Sequence, residues 1–426
     1  MFNLIVKIAQ TSGAQVYAAL LGIITLSITA RWLGPEGRGI IATISTWAIV
    51  FVEIASLSLA PVLIYRATQK CDDKWLGRMM GTLGVYIIGV TLIIWLIVGL
   101  FYFGERYWAF PQVIGNLPPI ALIMGFLLLP LGLAEHYTKA LLNIEDRLHI
   151  YNWLQVIGST SNLFWLVVLV IGLGMHIYGV LIARLMWDTI IAIGSIRALY
   201  PKAKKSLTSC TKELKSLLHD GSKMYLNTIG ALLILHVDIL MINAYLGAEA
   251  TGLYQLAVHM GQIMLMLPYA ATTVLQGEIT RRGLYGVWSY QKKILILTLL
   301  AMIAASLILG LTAKWWMIWL TSEKFEPSII LFQYLLISVL FASTSAIINV
   351  QWIARGLFWQ ISAISMIKGI GNIALNAILL PKYGLMGAVY STLSIFAFSF
   401  ITDIGMFIYC EIDTRRHNNS SITDNT

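Results

Sequence analysis

The chain has 426 residues, of which 58% are hydrophobic and 12% charged, with a mean hydropathy of +0.79 and a formal net charge of +9. A soluble domain devotes about a quarter of its residues to charge, so this composition excludes a water-soluble enzyme and places most of the chain in lipid. The basic excess has no folded soluble domain to act through, which excludes nucleic acid as a partner.

From the start, Met1–Gln10 carries Lys7 and runs into an apolar stretch without a small-residue cleavage site, so it is expected to be an uncleaved anchor. A helix crosses a bilayer with about 20 apolar residues. On that criterion twelve spans are predicted, at 13–31, 39–65, 79–103, 116–138, 151–172, 177–199, 223–246, 251–275, 294–313, 328–353, 359–380 and 384–409, the longest uncharged run being split at Gly172-Leu173-Gly174. The expected fold is all-α and integral to the membrane. Its expected parts are an N-terminal six-helix lobe (1–199), a basic cytoplasmic connector (200–222) lying on the inner leaflet, a C-terminal six-helix lobe (223–409) and a disordered cytoplasmic tail (410–426).

The two lobes are expected to be parallel repeats. Trp32-Leu33-Gly34-Pro35-Glu36-Gly37-Arg38-Gly39 returns 213 residues later as Tyr245-Leu246-Gly247-Ala248-Glu249-Ala250-Thr251-Gly252. Arg147-Leu148 matches Arg355-Gly356, and Tyr178-Gly179-Val180 matches Met386-Gly387-Ala388, both at an offset of 208. Six spans per half, related by an axis along the membrane normal, is an architecture of secondary transporters. Positive residues stay in the cytoplasm. Twenty-one of the 29 Lys and Arg fall on one side of the predicted spans and six on the other, which places both termini in the cytoplasm. Cys71, Cys210 and Cys410 all lie at that surface, where disulfides rarely persist.

No phosphate-cradling G-x-x-x-x-G-K-[ST] string, His-Glu-x-x-His string, Gly-x-Ser-x-Gly elbow or paired-cysteine metal spacing occurs. The external loops are short, the longest being 104–115 with one Glu and one Arg. Transport without covalent catalysis, cofactor or metal is therefore expected, and an integral glycan polymerase or ligase is disfavoured.

A charge at the bilayer centre costs about 2.5–3.5 kcal/mol on insertion scales, so such residues face an interior or a wet cavity. Those found are Glu53, Arg184, Asp188, Asp238, Lys368 and Asp403. Lys368, with no charged residue three or four positions away, is the leading candidate for an anionic substrate. Arg184 and Asp188, four apart on one helical face, neutralise each other on the simplest reading. Asp238 and Glu53 are candidates for carrying a coupling proton or cation, with pairing to a basic residue across the bundle as the alternative. Asp403, near a predicted cytoplasmic helix end, is expected to be hydrated. His236 and His259 are read as packing residues, and most Trp, such as Trp32, Trp153, Trp315 and Trp319, as interfacial anchors.

Arg31-Trp-Leu-Gly34-Pro35-Glu-Gly-Arg-Gly39 after the first span, with Asp238, Leu246-Gly247 and Gly252-Leu-Tyr254 in the seventh and eighth, resembles the polysaccharide (O-antigen repeat-unit) flippases. These belong to a superfamily that also holds the multidrug and toxin extrusion antiporters and the lipid II flippases. The resemblance implies two six-helix lobes around a cavity in the bacterial inner membrane. It also implies an undecaprenyl-diphosphate-linked oligosaccharide as substrate, moved from the cytoplasmic to the periplasmic leaflet by alternating access. Cations at membrane depth would meet the diphosphate: Arg31, from the motif, with Arg184 and Lys368. Asp238 matches the family's acidic position in the seventh span. Membrane lipids and other polysaccharide-assembly membrane proteins are the implied partners. An ion-coupled multidrug antiporter and a non-transporting scaffold for glycan-assembly enzymes are the rival functions.

Overall fold

The computed structural model describes residues 2–67, 74–107 and 117–423. Cys71 and most of the external loop 104–115 fall outside them. The described residues form thirteen α-helices and no strand. In chain order they are α1 (Phe2–Ser56), α2 (Leu59–Ala67), α3 (Trp75–Tyr107), α4 (Pro119–Ile144), α5 (Leu148–Leu166), α6 (His176–Ala203), α7 (Thr211–Met264), α8 (Met266–Gly286), α9 (Trp288–Leu311), α10 (Ala313–Leu320), α11 (Pro327–Ala354), α12 (Phe358–Tyr383) and α13 (Leu385–Thr423). Ten helical stretches are long and apolar enough to cross a membrane. Two of them, Val16–Ser56 and Tyr225–Ile279, have 41 and 55 residues, about 60 and 80 Å at 1.5 Å per residue, twice a hydrocarbon core of about 30 Å. Each is long enough to pass twice, so the ten stretches among the described residues stand beside the twelve spans expected from the sequence.

The breaks that divide these long helices are written in the sequence. Gly34, at φ 69°, precedes Pro35, whose ring cannot accept the preceding helical turn. Gly247, at φ 85°, makes the corresponding bend 213 residues later. The repeat continues at Asp146 with Gly356, and at Gly174 with Gly384, all at positive φ. These last two pairs stand 210 apart rather than 208, so the sequence matches found the repeat but misplaced its register by two residues.

The chain packs as two bodies. The first contains residues 1–232 and the short segment 247–252; the second contains 233–246 and 253–426. In the first body, Leu59, Leu63, Leu129, Leu133, Leu141 and Leu142 are fully buried. In the second, Ile347, Ile348 and Met406 pack around Trp288. Both bodies expose apolar helix faces, such as Leu92, Ile93, Leu96 and Leu100 on α3 and Leu297, Leu300, Leu307 and Leu311 on α9. A face of this kind is stable only against acyl chains, since water would penalise it by about 25 cal/mol per Å².

The second span departs from expectation. The helix ends at Ser56, and Leu57 and Ser58 take positive φ before α2 begins. Lipid cannot satisfy the carbonyls freed at this end. Three tyrosines do so: Tyr225 donates to the Ile54 carbonyl (2.9 Å), Tyr86 to that of Ala55 (2.6 Å) and Tyr137 to that of Ser56 (3.2 Å).

The helix of the seventh span, expected from residue 223, starts at Thr211, within the predicted connector. The backbone of 203–208 lies so close to α3 that a Cβ on Gly77 would strike the Ala203 carbonyl and one on Gly81 the Thr208 carbonyl. The Cys210 amide donates to Thr82 (3.0 Å), Arg78 pairs with Glu213 at 3.2 Å, and Arg66 pairs with Asp220. Beyond the predicted last span, α13 runs on as helix to Thr423.

Tighter still is the approach of the repeated motif to itself inside the first body. A Cβ on Gly39 would land on the Ala248 carbonyl, and one on Gly252 on the Pro35 carbonyl. Gly39→Ala or Gly252→Ala is expected to cost about 3 kcal/mol or more by overpacking and to lower the apparent Tm of the purified protein sharply. Gly89→Ala, where a Cβ meets nothing within 4 Å, serves as the neutral comparison. Tyr86→Phe strands one buried carbonyl and is expected to cost about 1–3 kcal/mol in the same thermal assay.

Candidate functional site

The second body carries the most completely built polar site. Asp238, on α7, is 7% exposed. Its Oδ1 accepts from the side-chain amides of Asn372 (2.6 Å) and Asn376 (2.7 Å) on α12. Its Oδ2 accepts from the hydroxyls of Tyr254 (2.9 Å) and of Thr392 on α13 (2.9 Å). Tyr254 and Thr392 also touch each other at 3.0 Å. Asn372 is fixed in turn: its Oδ1 accepts from Asn376 (3.1 Å) and Ser391 (2.9 Å).

The alternative reading of Asp238, pairing with a basic residue across the bundle, does not describe the contacts found: four neutral donors surround the carboxylate. Buried carboxylates are tolerated when hydrogen bonds replace lost hydration. The cage also holds spare acceptor capacity, because the Asn376 Oδ1 is buried without a hydrogen-bond partner. The two amides face the carboxylate through N–H, while the hydroxyl oxygens of Tyr254 and Thr392 beside Oδ2 are ligands of the kind hard monovalent cations take, and the carboxylate itself can take a proton.

One face of α12 continues from this cage to Lys368, four residues before Asn372. The Lys368 Nζ donates to Ser399 Oγ (3.1 Å); Ser399 touches Ser345 at 3.0 Å, and Ser345 donates to Asp403. Lys368 and Asp403, counted separately in the sequence, thus belong to one cluster spanning α11, α12 and α13. Asp403 is 6% exposed, which corrects the expectation of a hydrated helix end: α13 extends twenty residues past it, so the carboxylate sits mid-helix and needs the Ser345 hydroxyl.

The other candidates lie in the first body. Arg184 pairs with Asp188 at 3.1 Å along one face of α6, and its guanidinium stacks over Trp187, 4.7 Å from the ring centroid. Asp188 is buried while Arg184 stays 46% exposed, so the pair neutralises the acid without hiding the cation. Glu53 faces His136 at 3.4 Å. Arg31 lies on the exposed surface of α1, three residues before the break at Gly34.

Glu135, not among the membrane charges read from the sequence, lies inside the predicted fourth span and accepts from the Tyr151 hydroxyl at 2.6 Å. The uncharged members of the Asp238 cage are likewise not among the residues read as functional. Their signal is present: Lys368, Asn372 and Asn376 recur at intervals of four, a polar stripe along an otherwise apolar helix.

The cage is expected to behave as one unit. Asn376→Leu removes a bond to a buried carboxylate and is expected to cost about 1.5–3 kcal/mol. In the Asp238→Leu background the same change is expected to cost much less, and thermal unfolding of the four proteins reads that coupling directly. Additive losses would show that Asn376 stabilises the helix bundle independently of Asp238.

Residues 4–276 match the model of a family described as polysaccharide biosynthesis protein. No curated protein matches the sequence significantly. Among solved structures, the lipid II flippase MurJ in an inward closed conformation has a TM-score of 0.71 at 16% identity, over 95% of this chain and 90% of that one. An inward-facing multidrug resistance MATE family transporter of the MOP superfamily has a TM-score of 0.69 at 14% identity, over 92% and 95%. A MOP superfamily transporter from Pyrococcus furiosus, described by the reverse polarity of its binding pocket, has a TM-score of 0.55 at 12% identity, over 94% of each chain. At these identities the likeness establishes a shared fold. With more than half its length matched by the family model, the chain belongs to the polysaccharide biosynthesis protein family.

Proposed function

We propose that the protein is a flippase for undecaprenyl-diphosphate-linked oligosaccharide repeat units, of O-antigen or a similar surface polysaccharide. It moves them from the cytoplasmic to the periplasmic leaflet of the bacterial inner membrane by alternating access, with both chain termini in the cytoplasm. The observation that carries this reading is Lys368, in a chain of the polysaccharide biosynthesis family: a cation at membrane depth tethered to a neutral hydroxyl rather than to a carboxylate. A diphosphate crossing a low-dielectric core needs such a countercharge. Arg184, exposed above its paired acid, and Arg31, beside the first break, are the further cations assigned to the anionic headgroup.

Asp238 is assigned the coupling ion, a proton or a monovalent cation. Its cage supports this because the hydroxyl oxygens of Tyr254 and Thr392 lie against the carboxylate, with no basic partner among the described contacts. Glu53, which faces His136 at 3.4 Å, is the second acid available for coupling. A multidrug antiporter is the second reading, favoured by the same uncompensated Asp238 carboxylate, which would suit an organic cation.

In a deletion strain carrying Lys368→Ala, surface polysaccharide is expected to fall about tenfold or more, the loss of a charge-assisted contact worth about 1.5–3 kcal/mol. Single lipid-linked units would accumulate on the cytoplasmic leaflet while the protein stays inserted at normal abundance. Lys368→Arg should retain more activity than the alanine variant. An unchanged glycan pool with altered sensitivity to cationic drugs would decide for the antiporter, and full activity of the alanine variant would leave a scaffold.

A further inference from the structure

A cavity opens inside the second body and ends on the Asp238 cage. Its walls come from α7, α11 and α13 and are mainly apolar, with Leu335, Ala342 and Phe396 among them. The lining is selective about which side of the carboxylate it reaches. Tyr254 and Thr392, the two donors to Oδ2, line it; Asn372 and Asn376, the two donors to Oδ1, do not. Oδ2, Tyr254 Oη and Thr392 Oγ1, all of residues that line the cavity, form a closed triangle with sides of 2.9, 2.9 and 3.0 Å, so both hydroxyls are engaged with the carboxylate where the cavity meets it.

A second feature points to a ligand. Ser338, on α11, is 4% exposed, lines the same cavity, and its hydroxyl has no hydrogen-bond partner. A stranded hydroxyl in an apolar wall carries a penalty of about 1–3 kcal/mol unless something passing through satisfies it. No Lys, Arg or His lines the cavity, so it offers nothing to a diphosphate and its one charged group repels anions. Its chemistry fits a small positive charge: a hydrated monovalent metal cation, or a proton passed along water.

We propose that this cavity is the entry path of the coupling ion to Asp238, separate from the path of the anionic substrate, and that the Tyr254–Thr392 hydroxyl pair is its gate. Ser338 is the intermediate station, exchanging its oxygen with the ion's hydration shell. Turning either hydroxyl outward replaces a donor to Oδ2 by an oxygen facing the incoming ion, so opening the gate also builds the ligand set. The proposal rests on the assignment of Asp238 as the coupling site.

The test uses the full chain in lipid nanodiscs with its three cysteines changed to serine. Ala342→Cys is reacted with 2-aminoethyl methanethiosulfonate, complete labelling being confirmed by mass spectrometry; Ser338→Cys is the second variant should the first fail to fold. Exchange of 22Na+ follows a metal cation, and a pH indicator after a rapid pH jump follows protons. Labelling is expected to slow whichever exchange depends on Asp238 by about tenfold or more, as a steric gate in series with binding does, while changing equilibrium occupancy less than about twofold. Tyr254→Phe is expected to speed exchange and weaken occupancy. An exchange rate unchanged by complete labelling overturns the entry path while leaving Asp238 as the coupling site, provided Asp238→Asn abolishes the signal. Retention of both signals in Asp238→Asn overturns the coupling assignment itself, and the entry path with it.

Discussion

Lipid donates and accepts no hydrogen bonds, and the features that distinguish this fold answer that constraint. A continuous helix satisfies itself; each place where the helix stops must find substitutes for its freed backbone groups. At the end of α1 the substitutes are three tyrosine hydroxyls on Ile54, Ala55 and Ser56, contributed by α3, α4 and α7. One irregular turn therefore fixes the relative positions of four helices. The same rule governs charge. Asp238 replaces its lost hydration with two amides and two hydroxyls, and the helices that supply them are held in register by a group that cannot be left unpaired.

The repeat shows which part of the design is duplicated. Positive-φ residues recur at 34 and 247, 146 and 356, and 174 and 384, so these three backbone breaks are copied, whereas those at Leu57, Ser58, His176 and Gly283 have no counterpart among the described residues. The side-chain chemistry is not copied. Position 25, the partner of Asp238 at an offset of 213, is a threonine, and position 158, the partner of Lys368 at 210, is a glycine. Bends are set by glycine and proline and survive divergence because few residues replace them. A buried charge survives only where its partners are present, so each half keeps its own set.

The fold was legible because the bilayer imposes a length on every span and because the Gly34-Pro35 and Gly247 breaks follow from backbone chemistry alone. Less legible was anything that depends on partners distant in sequence. Asp238 was visible as a charge in an apolar run, but nothing local distinguishes a carboxylate held by Asn372, Asn376, Tyr254 and Thr392 from one held by an arginine. Asp403 looked hydrated because its helix was ended too soon. The connector was read from its lysines, whereas its position is decided by Gly77 and Gly81 on the helix it packs against. These two glycines show no sign of that role in sequence, since a missing Cβ matters only once the opposing backbone is known.

The tether of Lys368 has a consequence for turnover. A lysine locked directly to a buried carboxylate is costly to separate, about 3–5 kcal/mol for breaking such a pair, and a ligand that replaced the carboxylate would be held as firmly and leave as slowly. Here two serines stand between Lys368 and Asp403, and the ammonium rests on a neutral oxygen. A hydrogen bond from an ammonium to a neutral hydroxyl is worth about 1.5–3 kcal/mol, less than the cost of breaking a buried ion pair. On the proposed assignment of Lys368 to the anionic headgroup, an arriving anion displaces a hydroxyl instead of competing with a carboxylate, and the same hydroxyl is at hand to take the ammonium back. On the proposed role of Lys368, the spacer serines keep the energy landscape around the lysine shallow, which favours both capture and release of an anionic headgroup.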